Sequence, residues 1–179
     1  SDATHPIVQR VASVEAASQA FDAIAYNKGS AVIRMLEASL GETGFRDGIR
    51  RYVRRYAYGN AVTEQLWSEL ASATNRPVID IARDFTLQPG VPLVKAVTGR
   101  CESGRTRVTL TQGRFETGPP SPVALTWRIP VVLQAIDSRA TASTLLGKDG
   151  APVSVEVGGC GPVVVNAGQT GYFRTQYAD

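Results

Sequence analysis

The sequence predicts an α+β chain in two domains, an all-α helical lobe over residues 1–89 and an antiparallel β-sandwich over residues 90–179. Three observations carry this. From Ser13 to about Leu87 the apolar residues recur at helical spacing. The stretch "QPGVPL", with Pro89, Gly90 and Pro92, then stops a helix and favours an extended exit. Beyond it the apolar period becomes two, and turn clusters punctuate the chain.

The lobe reads as about five helices. The first runs from Val14 to near Ala25. The second follows Gly29 and stops at Gly41, a glycine suited to a helix C-terminus. The third starts at Thr43 and ends near Gly59–Asn60. The fourth, "TEQLWSELASAT", has Thr63 as N-cap and turns Leu66, Trp67 and Leu70 inward. The fifth, "PVIDIARDFTLQ", has Pro77 in its first turn and Val78, Ile81, Ala82 and Phe85 at helical spacing.

About seven short strands follow, separated by "ESGR", "TGPPSP", "KDG" and "GGCG". "RVTLT" alternates Val108 and Leu110 with polar partners. "VSVEV" puts Val153, Val155 and Val157 on one face. In "TWRIPVVLQ", Trp127, Ile129, Val131 and Leu133 alternate with Arg128, Pro130, Val132 and Gln134, and Pro130 points to an edge strand or a bulge. This pattern predicts a small sandwich.

One segment does not fit a plain helix. "FDAIAYNKGSAVIRML", wound at about 100° per residue, places Phe21, Ile24, Lys28, Val32, Met35 and Leu36 in one broad stripe. Tyr26 points about 140° away from Phe21 on that winding. Glycine inside a helix costs about 1 kcal/mol relative to alanine. Two readings stand at this point: a helix break with a half-buried tyrosine, or a phenol held out of the core for chemistry.

Composition excludes several functions. The chain has 179 residues and a net charge of +3, with a single histidine, His5, and two cysteines, Cys101 and Cys160. One histidine cannot supply a zinc site with two histidine ligands, nor the motif H-E-x-x-H. His5 precedes Pro6 near the N-terminus and is read as structural or exposed. No run of eighteen apolar residues provides a membrane span, and no targeting segment is read at the N-terminus. Residues 1–90 carry 10 Lys/Arg and 10 Asp/Glu, so the positive surplus lies in the β half. "RDGIRRYVRRY" sets Arg46, Arg50, Arg51, Arg54 and Arg55 opposite an apolar stripe of Phe45, Ile49, Tyr52, Val53 and Tyr56. That arginine face reads as solvated or pressed against other protein, with phosphate binding the lesser alternative; nucleic acid is not expected as a partner. Cys101 and Cys160 are either two buried thiols or a disulfide. The second would favour an oxidising compartment, periplasmic or extracellular.

Five segments, in order, resemble the aminopeptidase N family of zinc metallopeptidases. "FDAIAYNKGSAVIRMLEASLG" resembles F-D-x-x-x-Y-x-K-G-x-x-x-x-x-M-L. "FRDGIRRYVRRYAYGNAVTEQLW" resembles the F-x-x-G-[IL]-x-x-Y-[IVL] helix and the N-x-x-x-x-D-L-W that follows it. "FTLQPGVPLV" resembles W-T-x-Q-x-G-[FY]-P-[LV], with Phe85 where tryptophan is common. "WRIPVVL" and "VNAGQTGYFRTQY" resemble W-x-[IV]-P and N-x-x-x-x-G-[YF]-[YF]-R-V-x-Y. Each motif is weak alone; the ordered set spans nearly the whole chain.

The resemblance implies the end of a thermolysin-like catalytic domain joined to the β-sandwich domain that follows it. It implies a parent enzyme that removes N-terminal residues from peptides. Its zinc-binding H-E-x-x-H and later glutamate are expected upstream of this chain, and no zinc is expected on the chain itself. Tyr26 matches the family tyrosine that faces the scissile carbonyl. A phenol stays protonated at neutral pH, so it can donate a hydrogen bond to the tetrahedral oxyanion without carrying charge. Losing such a donor raises the barrier by about 3–4 kcal/mol. Lys28 and Gly29 are implied to support the turn, the glycine by permitting close backbone approach. The expected partners are the peptide substrate and the upstream catalytic half, with self-association through apolar surface that this half would cover. A different class of reading is a non-catalytic scaffold or protein-binding module on the same fold.

Overall fold

A computed structural model of the chain describes residues 4–9, 11–14, 16, 22–119 and 122–178. Four helices come first: α1 (Ala23–Leu40), α2 (Glu42–Tyr56), α3 (Thr63–Thr74) and α4 (Val78–Thr86). Seven strands follow: β1 (Pro92–Glu102), β2 (Arg105–Arg114), β3 (Ile129–Ala135), β4 (Thr141–Leu146), β5 (Val153–Gly158), β6 (Val163–Val165) and β7 (Arg174–Ala178). The helix expected from Val14 to near Ala25 falls largely outside the described residues. The expected break at Tyr26–Gly29 is not there, because α1 runs unbroken through it.

The reason lies at Asp22. Its Oδ1 accepts the Ala25 N–H at 2.8 Å, so the helix begins there with a side-chain cap. Asn27 and Gly29 then sit within the first two turns, and packing of the opposite face outweighs their low propensity. Lys28, Val32, Met35 and Leu36 are buried at helical spacing. At the other end Gly41 donates its N–H to the Glu37 carbonyl at 2.9 Å and ends the helix, as expected.

α2 contributes less apolar surface than its pattern promised. Val53 is exposed, and Gly48 is the buried position of this helix. A Cβ at Gly48 would lie 2.9 Å from the Leu70 Cα, so its absence lets α2 and α3 pack backbone to backbone. The arginine face is half committed. Arg51 and Arg55 reach the buried Glu69 carboxylate at 3.3 and 2.8 Å. Burial pushes the Glu69 carboxyl up, but the hydrogen bonds from Arg55 and Arg51 outweigh it and hold the group below the ordinary carboxylate value. α3 begins at Thr63, its expected cap; the N-cap is instead Val62, whose N–H the Gln65 side chain accepts at 2.9 Å.

The strands form a four-stranded sheet, β5-β2-β1-β7, and a three-stranded sheet, β4-β3-β6. The sequence predicted antiparallel pairing throughout. β1 and β7 instead run parallel, Leu93 opposite Arg174 through Val97 opposite Ala178, because the chain crosses to the other sheet before it returns. β1 and β2 join through Ser103 and Gly104, both at positive φ, as a tight hairpin turn requires. β3 is the middle strand of its sheet, yet β6 pairs with Leu133–Ala135 and not with Pro130. Among the described strands proline therefore stands where β3 has β4 as its one neighbour, an edge-like position of the kind its residue type suits.

Trp127, Ile129, Val131, Leu133, Val108 and Leu110 are buried as the alternation predicted. They share one apolar cluster with Leu36, Leu70, Ile81 and Phe85 of the helices. Full burial of side chains this size is worth about 1.5–3 kcal/mol each. The Asp84 carboxylate, 6% exposed, locks α4 to the strands. It accepts the Arg128 backbone N–H at 2.9 Å, Arg128 Nη1 at 2.9 Å and Lys148 Nζ at 3.0 Å. Cys101 and Cys160 form a disulfide between the end of β1 and the turn joining β5 to β6, with Cα atoms 5.2 Å apart.

Candidate active-site helix

α1 carries Tyr26, and its first turns are held from three directions. Asp22 caps it with Oδ1 and accepts His5 Nε2 at 2.6 Å on Oδ2. The other imidazole nitrogen, Nδ1, meets the Pro6 carbonyl at 2.7 Å. The Pro6 carbonyl and the Asp22 carboxylate favour the imidazolium, and the Gln9 side-chain amide nitrogen also lies 3.0 Å from Nδ1. The His5 pKa is accordingly raised, first by the Pro6 carbonyl and then by the Asp22 carboxylate. Asp22 is held low in turn by the Ala25 N–H and by His5. The Val8 N–H donates to the Thr86 carbonyl at 3.0 Å, fastening the same N-terminal stretch to the end of α4.

Lys28 supplies the second anchor. It is 3% exposed, and its Nζ donates to the Gln88 carbonyl at 2.6 Å. Burial pushes its pKa down to about 8. Further along, Met35 Sδ accepts the Tyr172 N–H at 3.5 Å, and the Tyr172 ring meets Phe85 edge-on at 6.2 Å.

Tyr26 lies on the other side of the helix, about 200° from Lys28. It is 65% exposed, more than the half-buried tyrosine that the residues alone allowed. The arrangement is a phenol presented outward from a helix whose inner face is locked. Among the described residues a Cβ at Gly29 would meet no atom within 4 Å, so none of their backbone approaches it closely. Lys28 is not a turn residue, since it ties two elements together.

The sequence reading passed over the His5–Asp22 pair. Its signal was present, an aspartate three residues before Ala25 at a helix start, but the extended first helix absorbed it.

These residues do not fit a zinc site. His5 is committed to Asp22 and Pro6, both cysteines are in the disulfide, and among the described residues no three His, Cys, Asp or Glu side chains converge. Among the same residues no helix is long and apolar enough to cross a membrane.

A profile of the peptidase family M1 domain matches residues 1–85. The chain is 31% identical over 175 residues to glutamyl aminopeptidase of Mus musculus, covering 97% of this chain and 18% of that protein. It is 32% identical over 177 residues to probable aminopeptidase 2 of Sulfurisphaera tokodaii, covering 98% of this chain and 21% of that protein. Aminopeptidase M1 of Arabidopsis thaliana is 33% identical over 190 residues, with the chain covered to 98% and the relative to 21%. The chain thus spans about a fifth of the length of the curated relatives it matches.

Proposed function

The chain belongs to peptidase family M1, a family of zinc metallopeptidases, and on that premise we propose that the full-length protein removes N-terminal residues from peptides. Tyr26 is the residue of this chain that acts in the reaction. Attack on the scissile carbonyl gives a tetrahedral centre with negative charge on oxygen. A donor fixed where that charge develops stabilises the transition state more than the bound substrate. The Tyr26 phenol donates that hydrogen bond.

One observation supports this most: Tyr26 is outward-facing on a helix fixed by the Asp22 cap and the Lys28 tether. A rigid mount matters because the donor gains nothing if it must be repositioned during reaction. Zinc belongs to other residues of the full-length protein in this reading.

In this reading residues 1–89 close the catalytic domain, and residues 90–179 form the β-sandwich domain after it. The peptide substrate and the rest of the same protein are the partners. The isolated chain self-associates through apolar groups left open, among them Val53, Tyr58 and Val62. The Cys101–Cys160 disulfide supports a periplasmic or extracellular setting.

The test is Tyr26→Phe in the full-length protein, assayed on an aminoacyl-nitroanilide. Turnover should fall while KM changes little; unchanged turnover removes the assigned role. The chain alone should not hydrolyse the same compound.

A further inference from the structure

Behind the Tyr26 face, between the start of α1 and the start of β1, lies a cavity of about 250 Å³. Thr4, His5, Ile24, Asn27, Lys28 and Tyr172 are among its lining residues, and Gly90 closes one side. The proposed peptidase chemistry does not use it.

Its charge balance is incomplete. Buried charges are ordinarily paired with an opposite charge. Lys28 is 3% exposed and carries up to three N–H donors. Among the described residues its hydrogen-bond partner is the neutral Gln88 carbonyl, and no carboxylate pairs with it. Asp22 is occupied by His5 and by the Ala25 N–H. Beside Gly90 a second cation, Arg114, is ion-paired with Glu116 but keeps an unmet hydrogen-bond donor. Arg114 Nε is buried without a hydrogen-bond acceptor, at 3.2 Å from where a Gly90 Cβ would stand. Its carboxylate neighbour, Glu116, is 3.8 Å from that nitrogen, beyond hydrogen-bond reach.

The walls are not uniformly polar. Ile24, Ala23 and the Tyr172 ring supply carbon surface. The space exceeds what one halide ion needs. We propose that this cavity binds a short-chain carboxylate, its head on Lys28 Nζ and its apolar tail along Ile24 and the Tyr172 ring. The carboxylate supplies the negative charge that no described residue gives Lys28, and the tail displaces water from carbon surface. This inference does not depend on the peptidase reading.

Sodium propionate is the probe and sodium chloride at equal ionic strength the comparator, both with the intact chain. The propionate Kd is measured by calorimetry. Trinitrophenylation of Lys28, read by mass spectrometry at that residue, should slow about elevenfold with propionate at ten times its Kd. Chloride should leave the rate unchanged. Equal protection by chloride, or no protection by propionate, overturns the proposal. Propionate should also raise the melting temperature of the chain, and Lys28→Met should abolish that rise. A rise that survives in Lys28→Met overturns it too. Should that variant fail to fold, the labelling of the unmodified chain decides alone.

Discussion

Lys28 Nζ reaches the Gln88 carbonyl at 2.6 Å, joining residues 60 positions apart. Gln88 passes the restraint on, donating its side-chain amide to the Asp84 carbonyl at 2.9 Å and to the Thr126 carbonyl at 3.2 Å. The start of α1, the end of α4 and the approach to β3 are therefore one mechanical unit. Tyr26 stands two residues before the lysine at its centre.

Tyr26→Phe removes a hydroxyl from an exposed ring and leaves the helix anchors intact. Circular dichroism should match the parent chain. In the full-length enzyme the loss of an oxyanion donor should lower kcat by roughly 10²–10³. A matching fall in stability would assign the residue to the fold instead.

Lys28 makes stability depend on pH above neutrality. Burial depresses its pKa from 10.5 to about 8. Between those values the unfolded chain holds the proton and the folded chain releases it. Stability therefore rises with pH across that window, and the buried-ammonium penalty is fully present below pH 8. The gain approaches about 3 kcal/mol at most. Urea unfolding from pH 7 to 10 should show this rise relative to Lys28→Met. Parallel pH profiles for the two proteins would refute it.

Asp84→Ala removes the close carboxylate partner of Arg128 and Lys148, leaving Arg128 its longer pair with Asp80, and leaves the Arg128 backbone N–H without its acceptor. Breaking a buried pair from one side costs about 3–5 kcal/mol. Chemical denaturation should register a loss of that order, with Asp84→Asn losing less because one acceptor survives. An unchanged midpoint would mean that solvent replaces all three bonds.

The disulfide spans 59 positions of sequence. Closing a loop that long stabilises the chain by about 4 kcal/mol in the chain-entropy picture. Reduction should lower the unfolding midpoint accordingly, and denaturing mass spectrometry should find two extra hydrogens after reductant. No mass change would exclude the bond.

Periodicity disclosed most of the architecture because burial imposes it. Val78, Ile81, Ala82 and Phe85 at helical spacing, and Ile129, Val131 and Leu133 at alternate positions, lie where their spacing puts them. Propensity misled at Tyr26–Gly29, since tertiary packing of Lys28, Val32 and Met35 carries the helix through residues that disfavour it. Strand direction was hidden as well: nothing in "FRTQY" distinguishes a parallel neighbour from an antiparallel one. The cavity behind Tyr26 could not be read from the residues around it. Thr4, Ile24, Gly90 and Tyr172 are far apart in the chain, and no local pattern announces that they meet.

The parallel pairing of β1 with β7 sets a timetable for biosynthesis. While the ribosome is still making the middle of the chain, β1 can dock with β2 on one side only. Its other edge stays open until Arg174–Ala178 emerges from the exit tunnel. Through that interval nascent chains on a polysome present an unpaired strand edge to one another.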